Sequence, residues 1–139
     1  AAEFHSYRED AELCFRLCER NWQVVYEPRA VCEHRRTNLP ERRRAMASEI
    51  NYHSLKNRYL LRAYHQRPAN LILTLVPTLW RDFVALVYEI LAERSSLRAY
   101  NWLWKHRGFI RQRRRLISAR RLCRSHELNR WFFRRSAPL

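Results

Sequence analysis

The chain has 139 residues, 47% hydrophobic and 13% aromatic, and a net charge of +15. That length suits one ordinary domain, and that composition excludes a disordered polymer. A single glycine excludes a phosphate-cradling P-loop and a dinucleotide fingerprint, and four cysteines at this length do not suggest a disulfide framework.

The charge is unevenly placed. Seven of the thirteen acids lie in residues 1–33, whereas residues 105–135 hold twelve Lys or Arg and one acid, Glu127. A basic block of this kind implies a polyanionic neighbour, either nucleic acid or an anionic lipid surface.

In chain order, the aromatic-rich stretch Phe4-His5-Ser6-Tyr7 leads to an acidic pair, Glu9-Asp10, and then to a helix predicted over residues 10–21. Ala11, Leu13, Cys14, Leu17 and Cys18 form its apolar face, with Glu12, Arg16, Glu19 and Arg20 mostly outside it. Ser6 with Glu9 fits a capping box, and Asp10 is an alternative N-cap. A carboxylate at a helix start is favoured by free N–H groups and the helix dipole. Glu9 and Asp10 are therefore either a structural cap or a catalytic carboxylate at the rim of a cleft.

Trp22–Glu27 reads as a short strand stopped by Pro28, and Ala30–His34 as a second extended piece. Cys14, Cys18, Cys32 and His34 are in principle a zinc set, although cysteines on a helix face also serve simply as small hydrophobes. Pro40 and Glu41 open a long helix running to about His65, broken at Pro68, with Met46, Ile50, His53, Asn57 and Leu60/Leu61 on one stripe. Residues 69–92 are the most apolar part, but Arg81-Asp82 and Pro77 interrupt them. A central charge costs roughly 2.5–3.5 kcal/mol in a spanning helix, so the expectation is a helix lying in the membrane interface; a buried core helix is the alternative. Beyond Gly108, residues 111–124 read as a basic amphipathic helix and Glu127–Phe133 as a last short one.

Tyr7-Arg8-Glu9-Asp10-Ala11-Glu12-Leu13-Cys14-Phe15-Arg16, Trp22, Tyr26-Glu27-Pro28-Arg29-Ala30-Val31 and His34 together resemble the C-terminal end of the catalytic domain of family 2 glycosyltransferases, especially rhamnosyltransferase-like members. His53-Ser54-Leu55-Lys56-Asn57-Arg58-Tyr59-Leu60-Leu61 adds to the resemblance, which covers about residues 3–67. The implied fold class is mostly α with a short β element: the C-terminal fragment of an α/β GT-A domain followed by amphipathic helices. Residues 1–40 would be the edge of that domain, 41–67 a long helix closing it, and 68–139 a basic, membrane-associating helical region.

The resemblance implies roles at matching positions. Asp10 matches the general base that takes the acceptor hydroxyl proton, so that the oxygen displaces a nucleoside diphosphate with inversion. Glu9 is a candidate either for supporting Asp10 or for binding the acceptor. His34 matches a histidine that helps hold a divalent metal, Mg or Mn, against the diphosphate. The family's donor-binding strands and Asp-x-Asp motif are not in this sequence, so the chain is expected to be the C-terminal part of a longer enzyme, inactive alone. The expected partners are a nucleoside-diphosphate sugar, a glycan or lipid-linked acceptor and an anionic membrane surface. The expected location is peripheral, on the cytoplasmic face of a bacterial inner membrane. A non-enzymatic, basic nucleic-acid-binding adaptor is the alternative, less favoured because such a module has no use for the apolar run at 71–91.

Overall fold

Helix α2, Ser48–His65, is the element on which the others are laid. The computed structural model describes residues 2–5, 7–33, 48–125 and 127. Before α2 come a 3-10 turn, Ala2–Phe4, and helix α1, Glu9–Glu19; after it come α3, Pro68–Leu73, α4, Leu75–Ala92, a 3-10 turn, Arg94–Leu97, α5, Arg98–Lys105, and α6, Arg107–Ala119. Helix α2 packs on α5, on α6 and on the Arg94–Leu97 turn, and that turn also carries α4.

The apolar core is small. Phe4, Leu60 and Tyr64 are fully buried, and Leu61, Trp102, Ile110 and Ile117 pack around them. Each large side chain buried there contributes about 1.5–3 kcal/mol. Much of the remaining interior is polar: Asn51, Lys56, Asn57 and His65 of α2 are all buried. Lys56 and Asn57 spend their polarity on backbone carbonyls of the segment before α1, and His65 on two carboxylates of α1. Lys56 Nζ donates to the Glu3 carbonyl at 2.8 Å and lies 5.0 Å from the centre of the Trp102 ring. The Tyr64 hydroxyl donates to Glu3 Oε1 at 2.9 Å. Burial pushes the Lys56 ammonium below the usual lysine range, and nearby Glu3 only partly opposes it.

Arginines of the basic tail close the C-terminal end of α2. The last carbonyls of a helix have no partner within it. Arg114 donates to the Ala63 and Gln66 carbonyls, both at 2.7 Å, and Arg121 donates to the Tyr64 carbonyl at 2.5 Å. Helix α2 ends at His65, and Pro68 starts α3 at a position where its missing N–H is harmless.

Several expectations are corrected. Residues 22–27 and 30–33 form no strand: among the described residues there is no β-ladder, and an extended segment without a pairing partner cannot make one. The mostly helical expectation holds; the short β element does not appear among the described residues. The break expected at Gly108 falls at His106, and Gly108 sits inside the first turn of α6. Helix α1 is rotated relative to its predicted orientation, with Ala11, Leu17 and Cys18 of the expected apolar face half-buried. Glu12 and Glu19 are each 1% exposed, whereas Leu13 and Cys14 face outward. The partners explain it: α2 offers His65 and the residues after α6 offer Arg121 to the two carboxylates.

Helix α4 is inverted in the same sense. Its half-buried or buried stripe runs through Thr78, Asp82, Ala85 and Glu89. Its apolar side chains point away from the rest of the chain; Val76 is 77% exposed, Trp80 67% and Leu91 76%. Asp82 accepts from Arg62, and Glu89 Oε2 accepts from the Tyr100 hydroxyl at 2.9 Å. A buried core helix is therefore not what residues 75–92 form. Among the described residues no helix is long and apolar enough to cross a membrane. The start of the helix expected from Pro40, Met46 in its stripe, and the last short helix with Trp131 and Phe132 lie outside the described residues.

Candidate functional site

The loop before α1 is held in an unusual backbone conformation. His5, Tyr7 and Arg8 have φ of 44°, 69° and 65°. Non-glycine residues avoid this left-handed region, which crowds Cβ against the following carbonyl. The loop is pinned from α2: the buried Asn57 amide donates to the Phe4 carbonyl at 2.6 Å and to the Tyr7 carbonyl at 2.8 Å. A conformation of this kind persists where the surroundings over-determine it, and such places cluster at functional sites.

Glu9 and Asp10 leave this loop on the first turn of α1, side by side in sequence and both exposed. The N-cap position belongs to Arg8, which makes no side-chain cap, rather than to Asp10. Asp10 is nevertheless partly engaged in the manner a helix start invites: its Oδ1 accepts the Ala11 N–H at 2.7 Å. Among the described residues no cation stands within ion-pair distance of either carboxylate, so Asp10 retains acceptor capacity toward solvent. The capping box fails at the described end of the pair, because Glu9 is in the first turn and not three residues past an N-cap. Ser6 lies outside the described residues, as does His34, so the metal-side expectation at His34 lies outside them too. Among the described residues no group of three or more His, Cys, Asp or Glu is arranged to hold a metal ion. Cys14 and Cys32 are exposed and Cys18 half-buried.

Beneath the loop lies a charge cluster that sequence reasoning missed. His65 Nδ1 is 3.1 Å from Glu19 Oε2, and its Nε2 is 3.9 Å from Glu12 Oε1. Arg121 Nε is 2.7 Å from Glu19 Oε1, and Arg16 Nε is 2.9 Å from Glu12 Oε1. Burial opposes charge on His65, but its contacts with Glu12 and Glu19 outweigh burial and raise its pKa above the usual histidine value. Burial likewise pushes Glu12 up, and the contact with His65 and the charge of Arg16 outweigh it, leaving its pKa below the usual value. A signal for this cluster exists in the sequence: Glu12, Arg16 and Glu19 share one helical face, four and three residues apart.

The same part of the molecule holds a cavity of about 340 Å³ between the start of α1, the second half of α2 and the start of α4. Arg8, Arg58, Arg62 and Arg81 line it, with Phe15 and Leu61 as apolar wall. Phe15 stacks on His65 with ring centres 5.2 Å apart, which joins the cavity wall to the charge cluster.

The basic tail divides in two. Arg113, Arg114 and Arg121 turn inward, Arg113 Nε standing 3.5 Å from Glu3 Oε1. Arg111, Arg115 and Arg120 are exposed. The tail is thus partly a structural brace, and its charge does not all face a polyanion.

No family model matches the chain, and neither a curated protein nor a solved structure matches it.

Proposed function

We propose that this chain is the acceptor-side, C-terminal part of an inverting glycosyltransferase that moves a sugar from a nucleoside-diphosphate donor to a saccharide or lipid-linked acceptor. Asp10 is the general base and Glu9 the neighbouring acceptor-side carboxylate. His34 assists a divalent metal, Mg or Mn, held mainly by a donor-binding portion outside this chain. The metal supplies charge neutralisation of the leaving diphosphate. Helix α4 lies on the cytoplasmic face of a bacterial inner membrane with its apolar side in the lipid.

The observation that carries this reading is the presentation of Asp10. An exposed carboxylate with no ion-pair partner among the described residues leaves a loop locked by Asn57 in left-handed backbone. An alcohol is a weak nucleophile, and a base aimed at its proton from a fixed mount acts without first reorganising. The outward apolar side of α4 supports the membrane half of the reading, because an interfacial helix buries one face in the headgroup and acyl boundary.

The test is turnover of the enzyme comprising this chain and its donor-binding portion. Asp10→Asn keeps the helix start and removes the base. It is expected to lower kcat by about 10²–10⁴-fold while leaving donor affinity unchanged. Near-normal kcat in that variant contradicts the assignment.

A further inference from the structure

We infer that the cavity between α1, α2 and α4 binds a phosphate monoester carried on a lipid. The inference rests on the reading of α4 as a membrane-docking helix and is independent of glycosyl transfer.

Charge comes first. Four guanidinium groups, those of Arg8, Arg58, Arg62 and Arg81, line one cavity of about 340 Å³, and among the described residues no acidic side chain lines it. Arg62 is engaged by Asp82. Arg58 and Arg81 meet no carboxylate among the described residues. Like charges gathered around a cavity repel one another unless an anion enters, and guanidinium groups match phosphate oxygens in geometry as well as charge. A phosphate monoester carries nearly two negative charges at neutral pH, whereas a phosphodiester or a sulfate ester carries one. Arg58 and Arg81 together match the charge of the dianion.

Polarity then selects what the phosphate is attached to. Phe15 and Leu61 form an apolar wall, and Thr74 and Thr78 bring the cavity to the start of α4. The Thr74 hydroxyl donates to the Asn70 carbonyl at 2.7 Å, which leaves Thr78 as the threonine whose hydrogen is available to a phosphate oxygen. Leu75 and Leu79, next to these threonines in sequence, are exposed. A phosphate seated among the arginines therefore meets the apolar wall of Phe15 and Leu61, and the residues that follow the two threonines on α4 offer exposed apolar side chains. An alkyl chain covers that surface; a sugar or nucleoside does not. The cavity also lies in the range of small-ligand pockets, about 300–1,000 Å³.

The experiment is calorimetric titration of the chain with octyl phosphate below its micelle concentration, with octyl sulfate and inorganic phosphate as comparisons. Octyl phosphate is expected to bind at least about tenfold tighter than either comparison. Arg58→Gln with Arg81→Gln is expected to remove that advantage, and the exposed Arg81→Gln alone to remove part of it with the thermal melt unchanged. Equal affinity for octyl sulfate, equal affinity for inorganic phosphate, or an advantage untouched by both variants overturns the inference. Flotation on anionic vesicles separates the two readings. Recovery on vesicles without octyl phosphate selectivity refutes the site alone. Selectivity without recovery refutes membrane docking, and with it a lipid source for the phosphate.

Discussion

Helices α2 and α4 are both 18 residues long, and they invert each other. In α2 polar groups are buried: Asn51, Lys56, Asn57 and His65 lie inside the molecule beside Leu55, Leu60 and Tyr64. In α4 Glu89 is the buried residue, and nearly every apolar side chain faces out. Burial of apolar surface is the dominant favourable term in folding in water, so α4 contributes little of it while it faces water. The contrast separates two jobs. Helix α2 holds the chain together through specific polar contacts, and α4 leaves its apolar surface exposed. Arg62 and Asp82 join the two helices; under the proposed membrane docking, that ion pair ties the docked face to the helix that pins the loop before Asp10.

Breaking the α2 side of the comparison has the largest expected effect on stability. Glu19→Ala leaves the buried His65 and the half-buried Arg121 without the carboxylate they share. Removing one partner of a buried pair costs about 3–5 kcal/mol, measured by denaturant unfolding. A loss well under 1 kcal/mol would mean that the cluster is hydrated and does not hold α1 to α2. Next comes Asn57→Leu, which leaves the Phe4 and Tyr7 carbonyls without their donor and is expected to cost about 1–3 kcal/mol. It also frees the loop before Asp10, so hydrogen exchange at the Glu12 amide, which donates to the Arg8 carbonyl at 2.9 Å, should accelerate more than in α4.

The pH dependence is smaller and has a definite sign. His65 has a folded pKa raised above its unfolded value, so its stabilising contribution is complete below about pH 6.5 and is lost as pH rises through the raised value. Glu12 is lowered, so its contribution is present above about pH 4.5 and is lost as pH falls through the lowered value. Thermal melts across pH 4–9 should therefore show stability declining on the alkaline side, and His65→Gln should flatten that limb. An unchanged alkaline limb in the variant would assign the decline to another group.

Local pattern in the sequence accounts for part of this. The stop at His65 before Pro68 and the inward placement of Asn57 and Leu60 follow from helix periodicity and proline chemistry. Asp10 at the start of α1 follows from the acidic pair itself, although Arg8 takes the cap. The buried faces of α1 and α4 do not follow from it, because hydrophobic periodicity assumes that the apolar side turns inward. Glu12 and Glu19 are buried because His65 and Arg121, distant in sequence, meet them, and no local window contains those partners. Arg113, Arg114 and Arg121 read as surface charge for the same reason, whereas their roles are set by Glu3 and by the end of α2. Trp22–Glu27 has strand composition, yet a strand also needs a neighbour. The cavity was equally illegible, since its arginines come from residues 8, 58, 62 and 81.

The smallest expected effect on folding belongs to α4, and it tests the central claim most directly. Leu79→Ser with Phe83→Ser changes two exposed side chains, so stability in solution should change by no more than about 0.5 kcal/mol per site. Flotation on vesicles containing anionic lipid should recover the original chain and lose the double variant. Equal recovery of the two, or loss of folding in the variant without vesicles present, would contradict the assignment of this face to a membrane.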